Sequence, residues 1–396
     1  MKKFFALVLA LAMVLSLVAC GESAAPADDG AAAGGNVIKI GVFEPSTGDS
    51  AAGGKKEILG MQFANAETPT VTIGDTEYTV ELVIADNGSS TDKAPSAASE
   101  LVAKGVSLVL GSYGSGVSMA AGPIFNDAGL AAMGVTCTNP NVTAGNDYYF
   151  RICFLDDFQA DVLANFAMDE FGAKTAYCLG ESGNEYDQGL IAFFTKVFEA
   201  AGGTVVAKSF PTNNSDFSTY LNDAKDADVI FTPVSIAYAT QIVTQANSLG
   251  IKAPILGSDT LDDNMVLEAA KGTNVKVFVS TFYQEGGDPT FDAAIKAYIN
   301  GNADALAANG GNDTISAVTA MGYDAYYTAL EAIKAAGSGD AAAIKAALPG
   351  VTYNGVSGAI AFNDIGDAIR DTAFIKTANT ETGLFELATV QTGSAK

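Results

Sequence analysis

Polar side chains that could bind a small ligand follow an apolar, strand-like run in "VLGSYGSGVS" at residues 109–118. The run passes into glycine and serine, and Ser115 lies where a helix is predicted to begin. Glycine-rich turns leave backbone amides free at a helix N-terminus, and such amides bind anions. The pattern leaves three possibilities at this loop: a phosphate, a carboxylate or no ligand.

The spacing of the glycines disfavours a phosphate. "GSYGSG" does not match G-x-G-x-x-G, and in "GDSAAGGKK" Gly54 occupies the position where a phosphate-binding loop requires lysine. For a carboxylate, Ser115 offers a hydroxyl and an amide, and Thr138 in "VTCTNP" follows the next predicted strand. The residues alone leave one alternative open, in which Ser115 caps its helix and Thr138 begins a turn.

The composition argues against several classes of protein. The 396 residues include no histidine, which removes Ser-His-Asp and Cys-His catalysis and the commonest metal ligand. A net charge of −24 opposes binding to nucleic acid. The spacings of Cys137, Cys153 and Cys178 fit no zinc motif, so we expect mainly buried thiols. We therefore expect no enzyme that depends on histidine, and no metal, cofactor or nucleic-acid partner.

The N-terminal residues predict export and lipid attachment. Lys2 and Lys3 precede the apolar stretch "FFALVLALAMVLSLVA", which is short for a membrane span and typical of a signal peptide. "LVAC", ending at Cys20, resembles a bacterial lipobox, although an ordinary signal peptide with a chance cysteine is the alternative. We expect a signal peptide at 1–19, a lipidated Cys20, a flexible tether over 20–36, and an extracytoplasmic protein anchored to the bacterial membrane.

Strand-like and helix-like segments alternate from residue 36 onward. The predicted strands are 37–43, 78–86, "VSLVLG", 129–136, 174–180, 203–210, 228–234, 253–259 and 275–283. Two such series in tandem predict an α/β fold with two similar lobes, each a parallel sheet flanked by helices. Residues 288–335 are predicted to be helical, and the tail returns to short strands.

Ligands of open parallel sheets bind beyond the carboxyl ends of the strands. The candidate ligand-binding loops are therefore 44–54, 111–118, 136–140, 181–188, 233–238 and 258–263.

A series of longer segments resembles one known family. In order along the chain, they are "VLGSYGSGVSMAAGPIFNDAGLAAMGVTCTNP", "NEYDQGL", "QIVTQANSLGIKAPILGSD", "MGYDAYYTALEAIKAAGSGD" and "GVSGAIAFNDIGD". They resemble the branched-chain amino-acid-binding proteins, which are type I periplasmic binding proteins that feed ABC importers. The resemblance implies a monomer whose two lobes, joined by three crossing segments, close on a ligand. It implies lobe bounds of 37–157 plus 284–350 and of 158–283 plus 351–396.

The resemblance also implies roles for individual residues. The ligand's α-carboxylate is expected at Ser115 and Thr138, with help from the main chain near Cys137. Its ammonium is expected at Asp259, where the family's leucine binder has glutamate, with Tyr186 beside it in the cleft. As alternatives, Asp259 caps the helix that follows "DTLDD" and Tyr186 is an ordinary packing residue.

Other positions bear on specificity and on the hinge. An aromatic residue of the family falls here near Gly53, so either Tyr113 and Phe43 replace it or the pocket is open to a larger side chain. Ser235 or Ile236 is a further expected contact. The segment "FRICFLDDFQA" matches the family's crossing between lobes and supplies residues that we interpret as structural: Arg151, Asp156 and Gln159.

The resemblance implies that the protein captures an amino acid, branched-chain or otherwise hydrophobic, and delivers it to an ABC permease. Three alternatives remain open at this point. The same fold could bind an amide, urea or an aromatic acid, or it could report its ligand to a membrane signalling protein. A hydrolase that uses a serine or a pair of aspartates is disfavoured, because the sequence lacks a nucleophile elbow.

Overall fold

A computed structural model describes residues 36–392. Its strands are β1 (Val37–Glu44), β2 (Thr70–Ile73), β3 (Thr76–Asp86), β4 (Leu108–Leu110), β5 (Ala132–Gly134), β6 (Tyr149–Arg151), β7 (Thr175–Glu181), β8 (Thr204–Phe210), β9 (Val229–Phe231), β10 (Ile255–Gly257), β11 (Val277–Thr281), β12 (Thr352–Gly355), β13 (Gly358–Ala361), β14 (Thr372–Asn379) and β15 (Leu384–Thr392). Its helices are α1 (Ala51–Glu67), α2 (Ala94–Ala103), α3 (Ser115–Asp127), α4 (Asp156–Phe171), α5 (Glu185–Ala200), α6 (Ser218–Asp223), α7 (Ile236–Leu249), α8 (Asn264–Ala270), α9 (Pro289–Gly301), α10 (Ala303–Ala308), α11 (Ala317–Ala336) and α12 (Ala341–Ala347).

The first sheet has the order β2-β3-β1-β4-β5-β6 and forms the first lobe with the helices that cover it. Val42 of β1 lies between Ile84 of β3 and Leu110 of β4, all three strands running parallel. The apolar run of β4 is buried throughout, as expected of a central parallel strand. The antiparallel strand β2 was not predicted; it pairs with β3 through a tight turn in which Gly74 has a positive φ of 58°.

The second sheet has the order β15-β14-β11-β10-β9-β7-β8 and forms the second lobe. The strands from β7 to β11 pair in parallel, as the sequence predicts. The tail returns to short strands as predicted, and β14 and β15 form an antiparallel hairpin on β11, a pairing that the sequence did not specify. β15 is the edge strand of this sheet, and none of its residues is fully buried.

The prediction of a helix over 288–335 is wrong in its middle. Helices α9 and α10 end before a non-helical segment, and α11 begins only at Ala317. Gly310 and Gly311 have φ values of 76° and 89°, in the left-handed region that ends a helix. Helix α11 then packs closely on α1, since a Cβ added at Gly60 would lie 2.0 Å from the carbonyl oxygen of Thr319.

Three segments cross between the lobes, after β6, after β11 and before β14. The rings of Phe154 and Phe282 stack with centroids 4.1 Å apart and join the first two segments. Nε of Arg151 donates to Oδ1 of Asp367 at 2.5 Å and joins the first to the third. These contacts hold the hinge segments together. The residue bounds that the sequence suggests for the lobes remain a proposal.

Predictions for the N-terminal residues, including the signal peptide, the tether and the lipidated Cys20, lie outside the described residues. Within residues 36–392, no helix is both long and apolar enough to cross a membrane.

Candidate functional site

A cavity of about 480 Å³ lies between the lobes at the carboxyl ends of their strands. Each of the six loops predicted from the sequence contributes to its lining, through residues that include Ser50, Ser115, Thr136, Tyr186, Ser235 and Thr260. Two further segments, residues 89–92 after β3 and Thr212 after β8, also line it and were not predicted. Both follow parallel strands, so applying the same rule to every strand would have found them.

Ser115 lies at the cavity, in the first turn of α3. Gly114 occupies the N-cap position, and the Ser115 hydroxyl does not cap the helix; Oγ instead accepts a 3.3 Å hydrogen bond from the backbone amide of Asn139. The alternative that Ser115 merely caps its helix is therefore wrong. The first amides of a helix have no acceptor within it, so this helix end can receive an anion.

Thr138 and Cys137 are fully buried and do not belong to the cavity lining. The Thr138 hydroxyl has no hydrogen-bond partner among the described residues, and the carbonyl oxygen of Cys137 accepts a 3.0 Å bond from Nη1 of Arg151. Thr136, which the sequence did not single out, lines the cavity from the same loop and donates to Oε1 of Glu57. Roles for Thr138 and Cys137 in binding stay predictions.

Tyr186 and Asp259 are brought together in the second lobe, where Tyr186 lines the cavity and Asp259, which is buried, lies next to the lining residue Thr260 without being part of the lining itself. The Tyr186 hydroxyl donates a 2.7 Å hydrogen bond to Oδ1 of Asp259, and Nε2 of Gln159 donates to the same oxygen at 2.8 Å. No side chain of the described residues donates to Oδ2. Asp263, not Asp259, caps α8, because Oδ1 of Asp263 accepts from the amide of Met265. The alternative role of Asp259 as that helix cap is therefore wrong.

The environment of Asp259 sets its titration. The pKa of Asp259 is raised to about 6, and burial is the largest cause. Hydrogen bonds from Tyr186 and Gln159 lower this pKa, and the charge of Asp262 raises it further. A carboxylate in such a place is stabilised by a cation that brings its own hydrogen bonds. An ammonium group therefore suits this position.

Tyr113 occupies the space beside Gly53. A Cβ added at Gly53 would lie 2.4 Å from Cε2 of Tyr113, so the ring takes the place that a side chain at position 53 would need. Tyr113 lines the cavity, whereas Phe43 packs edge-on against Phe125 in the core of the first lobe and does not. Ser235 lines the cavity just before α7, and its hydroxyl has no hydrogen-bond partner among residues 36–392.

Arg151 and Asp156 are buried near the hinge. Besides Asp367, Arg151 donates through Nη1 to the carbonyl of Asn139 at 2.6 Å and through Nη2 to the hydroxyl of Thr143 at 2.7 Å. Burial raises the pKa of Asp156 to about 8. Gln159 also bonds the Ser280 hydroxyl at 2.8 Å, so it positions Asp259 as well as joining α4 to β11.

The three cysteines Cys137, Cys153 and Cys178 are free and buried, as predicted.

Lys56 connects the lobes. It extends from α1 of the first lobe, is 1% exposed, and donates to Oδ2 of Asp263 in the second lobe. A second bond, of 2.7 Å, goes to Oδ1 of Asn264. This buried ion pair was not predicted, because nothing in the local sequence relates Lys56 to residues about two hundred positions away.

Comparisons with known proteins agree with this architecture. A family model described as a periplasmic binding protein matches residues 37–381. The curated Leu/Ile/Val-binding protein homolog 3 of Brucella melitensis is 29% identical, over 83% of this chain and 88% of its own length. The Leu/Ile/Val-binding protein BraC3 of Rhizobium johnstonii is 30% identical over the same shares, 83% and 88%.

Solved structures show the same likeness. The leucine binding protein LivK of Thermotoga maritima has a TM-score of 0.79 and 30% identity, covering 90% of this chain and 99% of that one. LivJ of Streptococcus pneumoniae, solved with isoleucine, has a TM-score of 0.76 and 25% identity, with coverage of 90% and 99%.

Proposed function

Because this chain belongs to the periplasmic binding protein family, we propose that it captures an α-amino acid between its lobes and delivers it to an ABC permease. Its two-lobed architecture is the type I fold of that family. One solved relative is named a leucine binding protein, and the other was solved with isoleucine. Together with the curated relatives named Leu/Ile/Val-binding proteins, they make leucine, isoleucine and valine the reference compounds for this chain.

The contact between Tyr186 and Asp259 carries the proposal. Both oxygens of a carboxylate accept hydrogen bonds, yet the side chains around Asp259 donate only to Oδ1. Oδ2 is left for an ammonium group, whose removal from water requires a charged partner. A ligand without an ammonium would leave this buried carboxylate uncompensated.

The carboxylate end of the ligand is assigned to the first lobe. Ser115 stands at the N-terminus of α3, where the helix dipole and free amides stabilise negative charge. A zwitterion held by Ser115 on one side and by Tyr186 and Asp259 on the other touches both lobes. Such a ligand stabilises the closed form, which is how a hinged receptor signals occupancy. No reaction of the ligand is involved.

The N-terminal residues support anchoring at the membrane. The basic start, the apolar stretch and "LVAC" support a lipoprotein signal with lipid attached at Cys20. Residues 21–35 are rich in alanine, glycine and aspartate, a composition that does not pack, and they would tether the binding unit near its permease. Metabolic labelling with a fatty acid tests this step: the label is incorporated by the parent chain and lost in Cys20→Ala.

The binding function is tested by thermal shift and calorimetry. The chain from position 20 to 396, carrying Cys20→Ser so that no lipid is attached, is screened against the twenty amino acids, amides, urea and aromatic acids. A ligand that binds the folded state raises the melting temperature by mass action. The proposal expects an α-amino acid to produce the shift and to bind one per chain. A response confined to a compound without an amine would overturn it.

A further inference from the structure

Two buried carboxylates in the cavity lining have no cationic partner. Glu181, the last residue of β7, is 8% exposed, and Asp187, in the first turn of α5, is 1% exposed. No lysine or arginine of the described residues lies within ion-pair distance of either. Carboxylates so deeply buried are normally paired with a positive charge.

Hydrogen bonding within the chain does not compensate Glu181. Its Oε2 accepts from Nδ2 of Asn184 at 3.2 Å, and its Oε1 accepts from the Tyr238 hydroxyl at 3.3 Å. The same hydroxyl lies 3.4 Å from Oδ2 of Asp49, across the cleft. A hydroxyl has one proton to donate, so one of these two carboxylates is always without it.

Asp187 is satisfied on one side only. Its Oδ2 accepts a 2.7 Å bond from the backbone amide of Glu181, which fixes the two residues together. Its Oδ1 is buried and has no partner among the described residues. Burial raises the pKa of Asp187 well above its usual value; the backbone hydrogen bond from Glu181 lowers it, and the charge of Glu181 raises it. Glu181 and Asp187 thus have more hydrogen-bond acceptor oxygens than the surrounding residues supply donors for.

The rest of the lining offers little to an aliphatic side chain. Among the lining residues that the structure describes, Val117 alone has a purely aliphatic side chain of more than one carbon. Hydroxyl groups and carboxylates make up most of the remainder, and no lysine or arginine is among them. Burying a leucine side chain there would gain little apolar contact and would leave both carboxylates unpaired.

We propose that the preferred ligand is an α-amino acid with a positively charged side chain, whose ammonium or guanidinium group binds Glu181 and Asp187. This rests on the proposed function, in which Ser115 and Asp259 hold the α-carboxylate and α-ammonium. The charged end would then lie where Tyr238 brings Asp49 of the first lobe near Glu181 of the second. Binding there supplies donors that the chain lacks and favours closure.

Matched ligands test the proposal on the unaltered chain. Lysine is compared with norleucine, which has the same chain length without the side-chain charge, and arginine with the neutral citrulline. Calorimetry is expected to show at least one cationic ligand binding about tenfold or more tightly than its neutral match, as for a hydrogen bond to a charged group. This comparison needs no variant and so does not depend on folding.

Single substitutions test whether Glu181 and Asp187 bind the charged group of the ligand's side chain. Glu181→Gln is expected to weaken binding of the cationic ligand about tenfold while changing norleucine less than threefold, and Asp187→Asn serves as a second variant if the first is unstable. Glu199→Gln is the control, because it removes one carboxylate from the exposed far end of α5. Melting temperatures without ligand show whether each variant folds.

The possible outcomes distinguish binding of a positively charged side chain from amino-acid binding in general. If norleucine or leucine binds as tightly as lysine and arginine, and Asp259→Asn still weakens it, the charged-side-chain proposal is overturned and amino-acid capture stands. If no α-amino acid binds and Asp259→Asn alters nothing, both fail. If Ca²⁺ alone stabilises the chain and Glu181→Gln abolishes that effect, the carboxylates hold a metal and the inference is wrong.

Discussion

Tyr186 and Asp259 meet through a 2.7 Å hydrogen bond from the tyrosine hydroxyl to Oδ1 of the aspartate. Gln159 donates to the same oxygen from α4. One carboxylate oxygen is thereby fixed by the protein, and no side chain of the described residues donates to the other.

Asp259→Asn is expected to weaken amino-acid binding by about tenfold or more, because it removes the charged partner of the α-ammonium. The fold should persist, since the amide can still accept from Tyr186 through its oxygen. Calorimetry measures the affinity, and the melting temperature without ligand checks the fold. Asp226→Asn, an exposed position of the same lobe, is the control for the change in net charge. Unchanged affinity in Asp259→Asn would place the ammonium elsewhere.

Binding should strengthen as the pH rises through 6. The pKa of Asp259 is raised to about 6, so the carboxylate that receives the ammonium is mostly protonated at pH 5 and mostly ionised at pH 7.5, while the ligand's ammonium stays charged. Affinity is expected to be about tenfold lower at pH 5 than at pH 7.5, as one pH unit below the pKa implies. Titrations of the unaltered chain and of Asp259→Asn measure this, and a variant as pH-dependent as the parent would refute the assignment.

Lys56→Met should destabilise the folded chain, because it leaves the buried carboxylate of Asp263 without its cation. The methionine fills much of the lysine's volume, but Asp263 stays buried, at 2% exposure, without its cation. Removing one member of a buried pair costs about 3–5 kcal/mol. Urea unfolding measures the loss, and Lys55→Met is a close control, since Lys55 is the exposed neighbour on the same helix. Equal stability of the two variants would show that the ion pair between the lobes contributes little.

Gly53→Ala tests the position of the Tyr113 ring. The added methyl group would lie 2.4 Å from Cε2 of Tyr113, so the ring must move, and overpacking of this kind costs about 1–3 kcal/mol. Adding Tyr113→Ala should relieve the clash, making the two substitutions non-additive. Gly301→Ala, at a helix glycine with open space around its Cβ position, is the control. Additive effects on urea unfolding would mean that the two residues do not compete for space.

Sequence reasoning predicted the architecture and the loops of the site for a physical reason. Parallel strands alternating with helices place every carboxyl end at one edge of the sheet, so the loop containing Ser115 and the loop containing Asp259 could be assigned without coordinates. The predicted loop 181–188 contains Glu181 and Asp187, but the sequence did not single them out. Each looks locally like a polar residue near a helix N-terminus, and their burial and contacts, such as that of Glu181 with Tyr238, depend on how the chain packs.

Long-range contacts were also beyond the sequence. The ion pair of Lys56 with Asp263 joins segments that are far apart in the sequence. Phe43 packs against Phe125 in the core and not at the cavity, and this too depends on how distant segments pack together. The tail hairpin of β14 and β15 was foreseen only as short strands, because pairing direction depends on the connection and not on composition. Glycines at Gly310 and Gly311 gave a readable signal for the break in the predicted helix.

The most direct measurement compares α-amino acids with analogues that lack only the α-ammonium. Leucine is titrated against 4-methylpentanoate and lysine against 6-aminohexanoate, each on the parent chain and on Asp259→Asn. The account predicts that the parent binds an amino acid about tenfold or more tightly than its deaminated analogue, and that Asp259→Asn abolishes the difference. Equal binding of amino acid and analogue by the parent would contradict the claim that the cleft recognises the ammonium group of an α-amino acid.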